Sequence, residues 1–125
     1  MDQPVAIDYR LLVDNLTTAI LLVDSNLNIF YLNSSCESLF DISLLRAAGQ
    51  PVLNLLHMPN DEFNTEEALL NTFKTGQPYT RREATISVNF KDIHVDYTVS
   101  QINSAKPYHP LLLIELNQID RMLKI

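Results

Sequence analysis

Two stretches of strict alternation between apolar and polar residues constrain the possible folds of this chain most strongly. Every second residue from Ala84 to Phe90 is apolar, and the alternation resumes from Ile93 to Val99. Successive side chains of a strand point to opposite faces, so each stretch predicts a strand with one buried face. With Lys91-Asp92 as a tight turn, Val88 would lie opposite Val95, and all apolar side chains would share one side. The chain must therefore supply a layer that covers one face of an antiparallel sheet.

The N-terminal half predicts two further strands followed by a helix. Ala19 to Asp24 is apolar enough for a buried strand, and Asn28 to Leu32 predicts its partner. The residues between them, Asp24-Ser25-Asn26, are typical of a turn. Ser34 is placed to cap the next helix, and Glu37, three residues later, would close a capping box.

The remaining segments complete an α+β fold. Short helical pieces are predicted between Ile42 and Leu56, and a longer helix runs from Thr65 to Thr75, with Asn64 or Thr65 as its cap and Gly76 as its stop. Leu111 to Leu116 predicts a last, central strand, and Ile119 to Ile125 has helical periodicity. We therefore expect one five-stranded antiparallel sheet with helices on one face and a leading N-terminal helix.

The leading helix carries an apolar stripe that has two possible uses. The stripe consists of Tyr9, Leu12, Val13 and Leu16, which share one side of a helix between Ile7 and Leu16. It could form a homodimer interface with a second copy of the chain, or it could cap the open face of the chain's own sheet. The sequence leaves both possibilities open.

The order of elements resembles that of a PAS domain, and the details are most similar to the N-terminal sensor domain of NtrB-type nitrogen-regulation histidine kinases. The resemblance covers nearly the whole chain. The matching features are the strand Ile20-Leu21-Leu22-Val23-Asp24, the strand Ile29 to Leu32 ending at Asn33, Gly49 followed by Pro51, the Leu55-Leu56 pair, Thr75-Gly76-Gln77, and the strand Leu112-Leu113-Ile114-Glu115-Leu116.

The resemblance implies that successive segments of a longer protein have different functions. Residues 1–17 would be a dimerisation helix, residues 18–117 the PAS domain, and residues 118–125 the start of a linker to a kinase core. In that family the whole protein is a histidine kinase and phosphatase of a two-component system. It phosphorylates an NtrC-type response regulator and is controlled by a PII-type protein. The alternatives are a cofactor- or ligand-binding PAS sensor of an unrelated regulator, and a small α+β enzyme.

The chain itself offers no catalytic constellation. It has two glycines, too few for a glycine-rich phosphate loop, and none of its three histidines is followed by the glutamate of a phosphoacceptor box. Any kinase chemistry would lie beyond Ile125. We therefore expect no enzymatic activity from this chain.

No cofactor or metal site is expected either. Cys36 lies in a Ser-Cys-Glu context on the first helix, which favours a small core thiol over a flavin-adduct cysteine. His57 could be a haem ligand, but haem-binding PAS domains usually place that histidine on the long helix, and this one carries none. One cysteine and three scattered histidines do not supply a zinc site.

A PAS domain can enclose a cavity between its sheet and its helices. The candidate lining residues are apolar, and the same side chains could simply fill the core. They are Phe40, Leu55, Leu70, Phe73, Ile86, Tyr97 and Val99.

The net charge of −6 argues against binding to nucleic acid or to an anionic membrane surface. The one basic pair, Arg81-Arg82, is followed by Glu83 and predicts a solvated strand edge. A single cysteine and the absence of a signal-peptide pattern at the N-terminus lead us to expect a cytoplasmic location.

Overall fold

The computed structural model describes residues 8–58, 64–102 and 110–119, in which four helices, a 3₁₀ turn and five strands follow one another. Their bounds are α1 Tyr9–Asp14, β1 Ala19–Val23, β2 Ile29–Leu32, α2 Ser34–Phe40, α3 Leu44–Ala47, the 3₁₀ turn Val52–Asn54, α4 Thr65–Thr75, β3 Tyr79–Val88, β4 Lys91–Ile102 and β5 Leu111–Gln118.

The strands form one antiparallel sheet in the order β2-β1-β5-β4-β3, which confirms the predicted α+β architecture and the central position of β5. Helices α2, α3 and α4 pack on what we call the inner face. The short α1 lies on the opposite, outer face, where its residues form a groove with β1, β2 and β5.

The inner face and its helices enclose the hydrophobic core. Its largest fully buried side chains come from the sheet, from α4 and from the segment around the 3₁₀ turn. They are Tyr97, Leu21, Ile29, Leu32, Leu56, Leu69, Ile86, Leu112, Ile114, Leu116, Val23 and Val52.

The predicted register of the β3–β4 hairpin is wrong by four residues, because the turn lies two residues earlier than predicted. Val88 pairs with Lys91, and Ala84, not Val88, lies opposite Val95. The turn is Asn89-Phe90, with φ of 51° and 65°, the pair of positive values that a two-residue turn needs to match strand twist. A shift by an even number of residues preserves the face of every side chain. Ile86 and Tyr97 are therefore buried as predicted, while Phe90 projects from the tip of the hairpin.

Strand β3 also contains a bulge that the sequence did not predict. Arg81 pairs with Tyr97 and Ala84 pairs with Val95, so Arg82 and Glu83 together oppose a single residue. Glu83 has φ of 55°, and its N–H donates to the side chain of the opposing Asp96 over 2.8 Å. The extra residue returns Arg81 to the inner face.

The cap of α2 is Asn33, one residue before the predicted Ser34. The Asn33 carboxamide oxygen accepts from the Cys36 N–H, so Ser34 is already the first helical residue. Glu37 does not close a capping box. Its Oε2 accepts from the N–H of Leu44, the first residue of α3, over 2.6 Å.

The outer edge of β2 is covered by the loop that precedes the 3₁₀ turn. The Ile29 N–H donates to the Gln50 carbonyl, and the Gly49 N–H donates to the Ile29 carbonyl, both over 2.8 Å. Gly49 has φ of 83°, which lets the chain turn back along the strand. The predicted loop at residues 58–61 and the predicted helix after Ile119 lie largely outside the described residues.

Candidate functional site

An apolar groove of about 560 Å³ lies between α1 and the outer face of the sheet. It arises because the outward residues of β1 and β5 include Ile20, Leu22 and Leu113, where a fully solvated face would carry polar side chains. The residues that line the groove are Tyr9, Arg10, Val13, Leu16, Ile20, Leu22, Phe30, Tyr31, Ile102, Leu113 and Glu115.

The other half of the outer face, on β3 and β4, is polar. Thr80 and Thr98 are paired across the strands with their hydroxyl oxygens 3.3 Å apart. Thr85 Oγ1 lies 3.2 Å from Nδ1 of His94 in the same way. The apolar part of the outer face is therefore confined to the half beside α1.

The buried side chain of Asn33 connects α1 to the sheet and to α2. Its Oδ1 accepts from the N–H groups of Ile20 and Cys36 over 2.8 and 3.0 Å. Its Nδ2 donates to the carbonyls of Val13 and Thr18, each over 2.9 Å. Both amide hydrogens and both acceptor positions are used. This one residue, which we call the Asn33 junction, thus fixes where the leading helix meets the fold.

A second polar contact holds the end of α1. The Tyr31 hydroxyl donates to Oδ1 of Asp14 over 2.6 Å. Burial, together with the hydrogen bond to the Asp14 carboxylate, raises the pKa of Tyr31 to about 12. The phenol therefore remains a donor throughout the physiological range.

The predicted interface stripe is divided between the groove and solvent. Tyr9, Leu12 and Leu16 are exposed, and Val13 is half-buried. Tyr9, Val13 and Leu16 line the groove, whereas Leu12 faces away from it and is 54 % exposed. The stripe packs only in part on the chain's own sheet, and homodimerisation through it remains a prediction.

Most predicted cavity residues lie in the core. Phe40, Leu55, Ile86, Tyr97 and Val99 are buried, and Phe73 packs half-buried against them. Leu70 is a correction: it is exposed, because α4 turns Thr65, Leu69 and Thr72 inward at helical spacing. Two of these three inward residues are threonines, so the helix presents a more polar inner face than its apolar residues indicated.

A polar cluster at the edge of the core was missed in the sequence. Arg81 Nη1 lies 2.9 Å from the sulfur of Met58, and the Thr65 hydroxyl lies 3.3 Å from the same sulfur. The Tyr97 hydroxyl is buried beside Arg81 and Thr65 in a geometry that makes a hydrogen bond with neither. Burial raises the pKa of Tyr97. Only the bulge, which lacks a sequence signature here, places Arg81 inward instead of on the predicted solvated edge.

The other candidate residues are not assembled into a reactive site. Burial, with the nearby charge of Glu37, raises the pKa of the Cys36 thiol to about 12, which keeps it protonated and unreactive. His57 is exposed and His94 lies on the outer face, while His109 lies outside the described residues. Within residues 8–58, 64–102 and 110–119, no three side chains are grouped as metal ligands would be. No helix in the same ranges is long and apolar enough to cross a membrane.

A family model described as PAS fold matches residues 7–106. Among curated proteins, the sensory histidine kinase/phosphatase NtrB of Vibrio alginolyticus is 28% identical over 114 residues, which are 91% of this chain and 31% of the relative. The chain thus spans about a third of that relative's length.

Solved structures give the same relationship. The PAS domain of nitrogen regulation protein NR(II) from Vibrio parahaemolyticus matches with a TM-score of 0.74 and 27% identity, covering 91% of this chain and all of the other. A PAS domain from Colwellia psychrerythraea matches with a TM-score of 0.72 and 22% identity, covering 86% of this chain and 90% of the other.

Proposed function

The chain belongs to the PAS family, and on that premise we propose that it is the sensory and dimerisation domain of an NtrB-type nitrogen-regulation histidine kinase. The observation that carries the proposal is the relationship to NtrB over 91% of the chain. The domain would perform no chemistry itself and would act on a catalytic part that follows it in a longer, cytoplasmic protein.

The proposed partners follow from that role. The parent kinase would pass its phosphoryl group to an NtrC-type response regulator, and a PII-type protein would control the balance of kinase and phosphatase activity. Within this chain, the proposed partner is a second copy. No role in binding nucleic acid or a membrane, and no bound cofactor, is part of the proposal.

The dimer is proposed to form through the outer face beside α1. Tyr9 and Leu12 of the helix, Leu16 just after it and Phe30 of β2 are exposed, and a group of exposed apolar side chains commonly marks an interaction site. Two copies related by a two-fold axis would each cover the other's groove. A change in the Asn33 junction would then alter how the two helices meet.

Phosphotransfer tests the proposed function directly. The longest natural protein that contains this chain should autophosphorylate with Mg-ATP and transfer the phosphoryl group to an NtrC-type regulator. The chain of 125 residues alone should do neither. Failure of the longer protein to phosphorylate itself would refute the kinase assignment.

Sedimentation tests the dimer. The chain should form a dimer with a micromolar Kd, and Phe30→Asp and Leu12→Asp should each make it monomeric, because both place a charge in the interface. Leu45→Asp is the matched control, since Leu45 is 92 % exposed on α3 and outside the groove. An unmodified chain that stays monomeric at roughly 100 μM would rule the dimer out.

A second candidate function, ligand sensing, is favoured by the unsatisfied hydroxyl of Tyr97. A buried polar group without a hydrogen bond is uncommon, and a small polar ligand beside Met58 and Thr65 could satisfy it. Native mass spectrometry of freshly purified protein tests this. A bound small molecule that is lost in Tyr97→Phe would favour the sensor, and a mass equal to that of the chain alone would exclude it.

A further inference from the structure

The sulfur of Met58 lies among hydrogen-bond donors. Arg81 Nη1 and the Thr65 hydroxyl both donate to it, over 2.9 and 3.3 Å. The buried Tyr97 hydroxyl lies beside the same two side chains, and among the described residues it has no hydrogen-bond partner. A thioether sulfur is only a weak acceptor. One charged and two neutral donors are therefore gathered around a group that accepts hydrogen bonds poorly.

Met58 is held at the edge of the core, close to solvent. The N–H of Ser87 in β3 donates to the carbonyl of His57 over 2.8 Å, which fixes the residue just before Met58 on an edge strand. His57 itself is exposed, and Met58 keeps 7 % of its surface accessible. A reagent as small as hydrogen peroxide therefore needs only a local opening to reach the sulfur, not unfolding of the whole domain.

Oxidation would turn this weak acceptor into a strong one. A methionine sulfoxide is polar, and it disrupts an ordinary core because its oxygen is buried there without hydrogen bonds. Around Met58 the donors are already in place. An arginine carries several N–H donors, so Arg81 can bond a sulfoxide oxygen in addition to its other contacts. Burial raises the pKa of Tyr97, which keeps its phenol protonated and able to donate.

We propose that Met58 is a reversible oxidation site whose sulfoxide oxygen is bound by Arg81, Thr65 and Tyr97. The oxidant is hydrogen peroxide. A lone pair of the sulfur attacks one peroxide oxygen, the S–O bond forms as the O–O bond breaks, and the departing hydroxide takes the proton of the transferred hydroxyl and leaves as water. The sulfur is oxidised and the peroxide is reduced. Methionine sulfoxide reductases reverse the change with a thiol reductant, which releases the oxygen as water.

The modification would join three elements of the fold at one atom. Arg81 lies in β3, Tyr97 lies in β4 and Thr65 is the first residue of α4. A sulfoxide oxygen bonded to all three would hold the start of α4 to the sheet more firmly than the thioether does. Peroxide would thereby change the attachment of α4, a response that is separate from the proposed sensory and dimerisation role.

Stability measurements on oxidised and unoxidised protein test the proposal. All proteins carry Met122→Leu, and Met58→Leu is the matched control, which retains Met1 but lacks the thioether at position 58. Both are made with and without Tyr97→Phe. The folded proteins are treated with hydrogen peroxide, and peptide mapping by mass spectrometry locates the added oxygen. Urea denaturation then gives the equilibrium constant of unfolding before and after oxidation.

The effect of Tyr97→Phe should change sign on oxidation. In the unoxidised chain it removes a buried, unsatisfied hydroxyl, and the equilibrium constant of unfolding should fall or stay the same. In the oxidised chain it removes a hydrogen bond to the sulfoxide, and that constant should rise roughly tenfold. In the Met58→Leu proteins, peroxide should leave the effect of Tyr97→Phe unchanged. Treatment with methionine sulfoxide reductases should restore the values of the unoxidised chain.

An effect of Tyr97→Phe that is the same before and after oxidation would overturn the proposal. So would a Met58 that stays unoxidised in the folded protein while Met1 is modified under the same conditions. A stability that the reductases fail to restore would show that the site is not reversible.

A glutamine at position 58 provides an independent measurement without peroxide, because its amide oxygen is a strong acceptor on a side chain of similar length. Tyr97→Phe should destabilise Met58→Gln several-fold, measured as the equilibrium constant of unfolding, and should not destabilise Met58→Leu. Equal effects in the two backgrounds would overturn the assignment of Tyr97 as a donor to this site.

Discussion

The two faces of the sheet are determined in different ways. On the inner face, residues at alternate positions of β3, β4 and β5 are buried, and a register error of four residues left their identities unchanged. On the outer face, β3 and β4 carry hydrogen-bonded polar pairs, while β1 and β5 carry the apolar residues of the groove. The alternation of apolar and polar residues thus specifies which side chains enter the core. The polarity of the outer face instead follows the position of α1, since the apolar half is the half beside that helix.

The largest expected loss of stability follows from a charge introduced on the inner face. Val95→Asp should destabilise the chain by roughly 4 kcal/mol or more, because it buries an unpaired carboxylate at a fully buried position. Thr80→Asp, on the exposed side of an edge strand, should change the free energy of unfolding by less than about 1 kcal/mol. Urea denaturation of both variants measures the difference, and similar losses would contradict the assignment of the two faces.

The next largest loss of stability is expected when the hydrogen bonds that hold α1 to the sheet are removed. Asn33→Ala should cost about 2–4 kcal/mol, because it leaves buried backbone groups without partners and removes the cap of α2. Asn33→Ser should recover about 1 kcal/mol by restoring the cap, without restoring the bonds to α1.

Hydrogen exchange distinguishes the two roles of Asn33. The amides of α1 should exchange faster in both variants, while those of α2 should be faster only in Asn33→Ala. Unchanged exchange in α1 would show that the helix is held mainly by apolar packing in the groove.

A smaller effect appears at alkaline pH. The pKa of Tyr31 is raised from its ordinary value of 10 to about 12, so its contribution to stability is complete below pH 10. That contribution is lost as the pH rises from 10 to 12, because the unfolded state releases its proton first. Tyr31→Phe should therefore flatten the fall in stability across this range. Cys36 titrates over an overlapping pH range in both the unmodified chain and Tyr31→Phe. Its contribution therefore cancels when the free energy of unfolding of one protein is subtracted from that of the other at each pH.

The smallest expected effect is an increase in stability. Phe90→Gly should stabilise the chain by a few tenths to about 1 kcal/mol, because glycine adopts the left-handed turn conformation without strain. Asn89→Gly, at the other turn position, should give less, since asparagine already tolerates that conformation. Thermal melting measures both, and a clear loss of stability in Phe90→Gly would show that the ring packs within the domain.

The parts of the fold that could be predicted are those that follow from repetition along the chain. Strand alternation, helical spacing and the stop at Gly76 all reflect local geometry, and they were sufficient for the sheet and for most of the core. The hairpin turn was misplaced because Asn89-Phe90 lacks the usual glycine, so Lys91-Asp92 was the more polar choice.

The candidate surfaces were harder to predict because they depend on single residues in unusual positions. The inward orientation of Arg81 follows from one extra residue in β3, and the position of α1 follows from the four hydrogen bonds of Asn33. Neither arrangement repeats along the chain. The sequence predicts Leu70 inward because apolar residues usually turn inward, yet Thr65 and Thr72 occupy that side of α4.

The bulge in β3 has a further consequence for the behaviour of the protein at high concentration. A sheet that ends in long, flat strands can recruit strands from other molecules and grow into aggregates. Here β3 is an edge, but Arg82 and Glu83 place a kink and two opposite charges in its middle. The other edge, β2, is only four residues long, and Gly49 and Gln50 already occupy hydrogen-bonding groups of Ile29. Both edges of the sheet are thus poor templates for strand addition.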